Sequence, residues 1–257
     1  MSLIKEIKCL SSLEKLYDCD KMPADNSEGF TMLRNEKKSF QLAVEASEDT
    51  NAELVVTAKL KNINIYTVEH VKSGLPMQKK GADDYYRFSK SGYYPDLLLP
   101  VEGKINLKKG ITVLWLEVDA RQNEAGIYRI ELQLEDKKVA VGVEIIDADL
   151  DFKDFVYTCW FHTDCLMSYY KLEVFSEEYW RVTENFLKTA ADYGMNCVLT
   201  PIFTPPLDTA VGKERPTVQL VDVTLNKGEY SFNFDKLTQW IEMAHRCNIT
   251  HFELSHF

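Results

Sequence analysis

The hydrophobic periodicity of this chain changes once, near residue 150, and that change limits what the chain can fold into. Before it, Tyr128, Ile130, Leu132 and Leu134 alternate with Arg129, Glu131, Gln133 and Glu135. Val139, Val141, Val143 and Ile145 continue the alternation beyond the polar stretch Glu135-Asp136-Lys137-Lys138. Period two on both sides of a polar turn predicts a hairpin with one buried face. Residues 40–44, 54–58, 63–66 and 111–118 are further apolar runs of strand length, separated by Gly, Asn and charged clusters. Seven or so short strands without helical spacing predict an antiparallel β-sandwich over residues 1–150.

The boundary is the run Asp147-Ala148-Asp149-Leu150-Asp151-Phe152-Lys153-Asp154, whose clustered carboxylates suit a linker. Beyond it, residues 156–161 form a short apolar strand candidate. A helix follows, with Ser176 as cap, Glu177 and Glu178 in its first turn, and Tyr179, Val182, Phe186, Leu187 and Ala190 at helical spacing. Gly194 is placed to stop it. Next come a strand at 197–200, a proline-rich excursion, and a hairpin over 218–234 with Lys227-Gly228 at its middle. A helix from Asp235 carries Leu237, Trp240, Ile241 and Ala244 on one face, with Asn248 as its stop, and a strand at 251–254 closes the series. Strands alternating with helices predict a parallel sheet. The whole chain therefore reads as a multidomain α+β protein. An antiparallel β-sandwich (1–150) precedes the first three strands of an incomplete (β/α)8 TIM-like barrel (151–257), since a complete barrel needs roughly 250 residues. Open sheet edges predict self-association.

Several functional classes are excluded by composition. With 45% hydrophobic residues the chain is too apolar to be disordered. A net charge of −10, with lysine pairs no longer than two residues, gives no footprint for nucleic acid or anionic lipid. No run approaches the ~18 apolar residues of a membrane span, and the charged N-terminus does not read as a signal peptide, so a cytoplasmic location is expected. Cys9, Cys19, Cys159, Cys165, Cys197 and Cys247 form no CxxC pair and read as reduced core thiols. The sequon Asn248-Ile249-Thr250 reads as a chance match. No cofactor is implied.

In parallel α/β folds the chemistry sits just after each strand. Those positions hold Trp160-Phe161-His162-Thr163-Asp164, then Pro201-Ile202-Phe203-Thr204-Pro205-Pro206-Leu207-Asp208-Thr209, then Glu253-Leu254-Ser255-His256. An imidazole, carboxylates, hydroxyls and an indole on one rim suit a sugar, whose hydroxyls need polar partners and whose apolar face stacks on an aromatic. His162 and Asp164 equally fit a structural loop pair in which the carboxylate holds a turn. Trp160 also reads as core, and Arg215 is a further candidate. A metal on His162, Asp164 and His256 lacks the tight local spacing of a metal site.

These same runs, with Tyr179-Trp180, resemble the start of the catalytic barrel of glycoside hydrolase family 123, which comprises β-N-acetylgalactosaminidases and their relatives. Ser39-Phe40-Gln41-Leu42, Tyr93-Tyr94-Pro95-Asp96-Leu97-Leu98 and Ala125-Gly126-Ile127-Tyr128 are similar to its N-terminal sandwich. The resemblance implies a retaining, substrate-assisted mechanism on a β-linked N-acetylhexosaminide of the N-acetylgalactosamine type. In it the sugar's own 2-acetamido oxygen attacks the anomeric carbon, and an adjacent Asp-Glu pair stabilises that amide and protonates the leaving oxygen. No Asp is directly followed by Glu in these 257 residues. The expectation is therefore an N-terminal part of a glycosidase with no catalytic residue of its own. Trp160, His162, Asp164, Asp208, Arg215, Glu253 and His256 are its candidate sugar contacts. The alternative is a non-catalytic carbohydrate-binding or partner-docking sandwich with a remnant barrel, whose aromatic platform would be residues 79–88 with Tyr93-Tyr94.

Overall fold

In the computed structural model, residues 2–17, 20–25, 28–74, 90–151, 155–203, 211–212 and 216–254 are described. The chain separates into two compact units, Met1–Leu150 and Asp151–Phe257. The architecture is β-rich α+β with few helices. No helix among the described residues is long and apolar enough to cross a membrane.

The first unit is built from strands β1 (Ile4–Ser11), β2 (Phe30–Leu33), β3 (Lys37–Ala46), β4 (Thr50–Ala52), β5 (Leu54–Thr57) and β6 (Ile63–Ser73). It continues with β7 (Gly92–Pro100), β8 (Ile105–Leu107), β9 (Gly110–Asp119), β10 (Gly126–Leu134) and β11 (Lys137–Ile146). They form a five-stranded sheet ordered β1-β3-β9-β6-β7, a four-stranded sheet ordered β2-β11-β10-β5, and a β4–β8 pair. Strands β10 and β11 pair antiparallel with Ile130 opposite Val141 and Leu132 opposite Val139, so the alternating residues share a face. Their turn is tighter than the four polar residues suggest: Glu135 and Asp136 alone make it, with Glu135 at φ 50°. Ile130, Leu132, Val141 and Val143 meet Leu42, Val44, Leu114 and Leu116 of the other sheet in one buried cluster. Each fully buried aliphatic side chain there is worth about 1.5–3 kcal/mol over leaving it in water.

Strand β3 breaks the alternation, with residues 40–44 all buried. The reason is that its outer face is covered too. Ala43 and Val113 pack with Leu10 and Leu16, and the Gln41 amide, itself buried, donates to the carbonyls of Ser11 and Glu14 at 2.7 and 2.6 Å.

The expectation of a purely antiparallel arrangement fails at β2, which pairs parallel to β11, with Val143 opposite Phe30. Strand β2 is reached from β1 in the other sheet rather than through a hairpin, so its connection does not impose the antiparallel sense. Gly29 makes the approach feasible: it sits at φ 93°, and a Cβ there would lie 2.4 Å from the Gly142 carbonyl oxygen. The N-terminal segment, not anticipated as a strand, forms β1 and pairs with β3. The acidic boundary is fastened rather than loose over its first residues. Arg34 bridges Asp147 and Asp149 at 2.9 Å each, and the Asn35 side chain exchanges hydrogen bonds with the backbone of Leu150.

The second unit holds β12 (Thr158–Cys159), α1 (Thr163–Tyr170), α2 (Glu177–Asp192), β13 (Cys197–Thr200), β14 (Asp222–Asn226), β15 (Glu229–Asn233), α3 (Asp235–Arg246) and β16 (His251–Leu254). Ser176 Oγ accepts from the Tyr179 N–H, which caps α2, and Gly194 follows its end at φ 96°. Lys227 and Gly228, at φ 50° and 87°, make the two-residue turn of the β14–β15 hairpin. Asn248 adopts φ 64° just after α3. Strands β12, β13 and β16 form a parallel sheet in that order. The apolar run 156–161 yields only two paired residues, and Val156 and Trp160 remain exposed. Helix α1 was not anticipated, because His162-Thr163-Asp164 reads as a loop. Two of the supposed core thiols, Cys159 and Cys165, are exposed, whereas Cys9, Cys197 and Cys247 are buried. Strand β12 is too short and too peripheral to cover Cys159, and Cys165 faces outward from α1.

Candidate functional site

The register of the parallel sheet separates its two faces. Cys159, Val198 and Phe252 are in register, and Val198 and Phe252 pack against Leu187 of α2 and Trp240 and Met243 of α3. The opposite face carries Thr158, Leu199 and Glu253, with Trp160 two residues beyond Thr158. On that face the Glu253 carboxylate accepts hydrogen bonds from Trp160 Nε1 and Thr158 Oγ1, both at 3.3 Å. These bonds reach across the middle strand, because β12 and β16 are each paired to β13 and not to one another. The His162 ring stands edge-on to the Trp160 ring at 6.3 Å and 84°. Trp160 is 60% exposed, so its indole presents a face to solvent while its N–H holds the carboxylate.

Trp160, His162 and Glu253 are thus brought together. Asp164 is not part of that surface: it lies in the first turn of α1, 1% exposed. There it neighbours a second buried polar pair, Thr163 Oγ1 and Tyr179 OH, 3.1 Å apart. Burial pushes the Tyr179 phenol up to about 12; the Thr163 hydrogen bond opposes this and the negative charge of Asp164 adds to it. Asp208, Arg215 and His256 lie outside the described residues, as does the 79–88 platform. Among the described residues no group of three His, Cys, Asp or Glu side chains could hold a metal ion.

Sequence reasoning missed Thr158, although alternation from Trp160 places it on the same face. It also missed Asn196, which has no local signature. Asn196 Oδ1 accepts from the Tyr157 N–H, its Nδ2 donates to the Phe155 carbonyl (both 2.8 Å), and its own carbonyl accepts from Thr250 and His251. It therefore ties the starts of β12 and β16 to β13 and holds Thr158 and Trp160 over Glu253. Beside it on β12, the Cys159 thiol lies 3.4 Å from the Tyr157 hydroxyl and raises that phenol above its ordinary value.

Residues 160–257 match the family described as glycoside hydrolase 123, catalytic domain. Among solved structures, the chain is similar to a family 123 glycoside hydrolase from Clostridium perfringens studied for glycolipid glycan hydrolysis. The TM-score is 0.74 at 16% identity, over 95% of this chain and 46% of that one. The chain thus spans about half the length of that enzyme, and at this identity the likeness is one of fold. A type I cohesin from Pseudobacteroides cellulosolvens (8% identity, 48% of this chain and 91% of that one, TM-score 0.21) also matches. So does a GH3 β-glucosidase from Bifidobacterium adolescentis (12%, 60% and 18%, TM-score 0.20). Both scores are too low to carry an argument. No curated protein matches the sequence. The stretch that carries Trp160, His162, Asp164 and Glu253 is therefore similar to the catalytic domain of glycoside hydrolase family 123.

Proposed function

We propose that this chain is the front part of a glycoside hydrolase acting on β-linked N-acetylhexosamine of the N-acetylgalactosamine type. It would comprise the β-sandwich (1–150) and the first three strands of a (β/α)8 barrel (151–257). The observation that carries the reading is the catalytic-domain match over residues 160–257. In a closed barrel the sheet face opposite α2 and α3 would be the interior, and that is the face bearing Thr158, Trp160 and Glu253. Glu253 would accept hydrogen bonds from sugar hydroxyls, Trp160 would stack on the apolar face of the ring, and His162 would border it. Asp164 supports the rim from behind through the start of α1. Asp208, Arg215 and His256 complete the set of proposed contacts. The reaction is retaining and substrate-assisted, and its adjacent Asp-Glu pair is not contributed by these residues, so the chain alone binds sugar without turning it over. The open edges at β12 and β16 favour self-association.

Titration with N-acetylgalactosamine, followed by tryptophan fluorescence and calorimetry, tests the reading. Saturable binding that Glu253→Gln weakens about tenfold is the expected result. Absence of binding, or binding indifferent to both Glu253→Gln and Trp160→Ala, refutes it.

A further inference from the structure

The β14–β15 hairpin has one apolar face, and that face is bare. Val223 pairs with Phe232 and Leu225 with Tyr230, so these four side chains share one side, and Phe234 extends the row by the same two-residue step. They are 43%, 52%, 58%, 66% and 53% exposed for Val223, Phe232, Leu225, Tyr230 and Phe234. The pairs on the other side, Thr224 with Ser231 and Asp222 with Asn233, are polar. An amphipathic ribbon ordinarily buries its apolar side, and this one buries it against nothing in its unit.

The base of the ribbon is nevertheless firmly set. Lys236 Nζ bridges Asp222 at 2.6 Å and lies 4.5 Å from the centre of the Phe175 ring. The Asn233 amide group exchanges hydrogen bonds with Asp235 at 2.7 and 3.0 Å. Just before the hairpin, Leu220 and Val221 donate to the carbonyls of Pro201 and Ile202, directly beyond the carboxyl end of β13. The hairpin therefore belongs to a strand-to-helix connection at the end of the sheet where ligands of parallel α/β folds bind.

We propose that this face is a stacking platform for a saccharide chain, the portion of a substrate beyond its terminal N-acetylhexosamine. The inference rests on the glycosidase reading and adds a second contact surface to it. Three observations select this occupant. The rings form a row: Phe232 and Phe234 are 6.4 Å apart with planes only 30° from coplanar, a flat surface about one pyranose unit per ring. The exposed apolar area is on the order of 500 Å², given that each aromatic buries about 150–250 Å² when fully covered. That is a typical size for a functional patch but too small for a stable dimer, which needs about 800 Å² on each partner. Finally, the net charge of −10 disfavours a membrane surface, while Thr224, Asn226 and Asn233 border the patch with groups suited to hydroxyls.

The test uses the full chain with two probes, N-acetylgalactosamine and tetra-N-acetylchitotetraose, in calorimetry. The tetrasaccharide should bind at least tenfold more tightly than the monosaccharide. Phe232→Ser with Tyr230→Ser should remove that advantage and leave monosaccharide binding unchanged, while Phe232→Tyr should keep it. The exposed positions make misfolding improbable to confuse the result, and thermal unfolding of each variant checks this. Equal affinity for the two probes, or an advantage that survives the double substitution, overturns the platform while the glycosidase reading stands on the monosaccharide arm. Loss of monosaccharide binding in no Glu253 variant, with the tetrasaccharide advantage intact, overturns the glycosidase reading and keeps the platform. Two further outcomes overturn the saccharide occupant: a dimer in sedimentation that Phe232→Ser dissolves, or co-sedimentation with phosphatidylcholine vesicles that it abolishes.

Discussion

Removing the side chain of Asn196 should release the strand that carries Trp160. Strand β12 has two paired residues, and the stretch before it is held to the sheet by the two 2.8 Å side-chain bonds of Asn196 to Tyr157 N and Phe155 O. A net hydrogen bond is worth about 0.5–1.5 kcal/mol, and both backbone groups are exposed enough to regain water, so Asn196→Ala should cost about 1–2 kcal/mol. In a unit of about a hundred residues this lowers the midpoint of unfolding by roughly 5–10 °C. Asn196→Asp keeps the acceptor for Tyr157 and loses the donor to Phe155, so its effect should fall near half of that. The direct assay is amide hydrogen exchange: Cys159, whose partner strand is β13, should lose protection in Asn196→Ala, whereas α3 should lose only what the global change predicts. The fluorescence of Trp160, freed from Glu253, should shift to the red. Unchanged exchange at β12 alongside an unchanged melting curve would refute the argument that Asn196 is what holds β12 in place.

Gly29→Ala should destabilise the first unit by more than about 2 kcal/mol in urea titration, because its φ of 93° disfavours a side chain and the new Cβ would meet a backbone oxygen. Ser176→Ala should cost about 1 kcal/mol by loss of the α2 cap, read from the unfolding of the second unit. Alkaline stability should fall in two windows. Burial raises Cys9 from 9.0 to about 12, so the unfolded chain releases that proton first and the first unit weakens from pH 9 toward 12. Tyr179, raised from 10.0 to about 12, does the same to the second unit from pH 10 upward, and Tyr179→Phe should flatten that part of the profile. At pH 8 a maleimide should label Cys159 and Cys165 quickly and Cys9, Cys197 and Cys247 only on unfolding, as peptide mapping will show.

Local pattern alone determined a good deal of this protein. Alternation is a property of one strand and its pleat, so the β10–β11 hairpin and the buried side of β9 were legible from residue order. Caps and stops are equally local, which is why Ser176, Gly194, Lys227-Gly228 and Asn248 all stand where their chemistry suggests. The family likeness was also carried by short runs, Trp160 to Asp164 and Phe252 to Glu253 among them. What the tertiary structure decided involves partners far apart in sequence. The parallel sense of β2 depends on a glycine approaching residue 142, and the double burial of β3 depends on a segment folding back over it through Gln41. Whether Asp164 faces a ligand or a core depended on α1, a helix of eight residues whose position is set by its packing on α2 rather than by its own weak pattern. The grouping of Thr158, Trp160 and Glu253 could not be read from the chain at all, since two strands that are not neighbours present them across a third. Residue order sets which face of an element is apolar; only the assembled sheet sets which residues of different elements share a face.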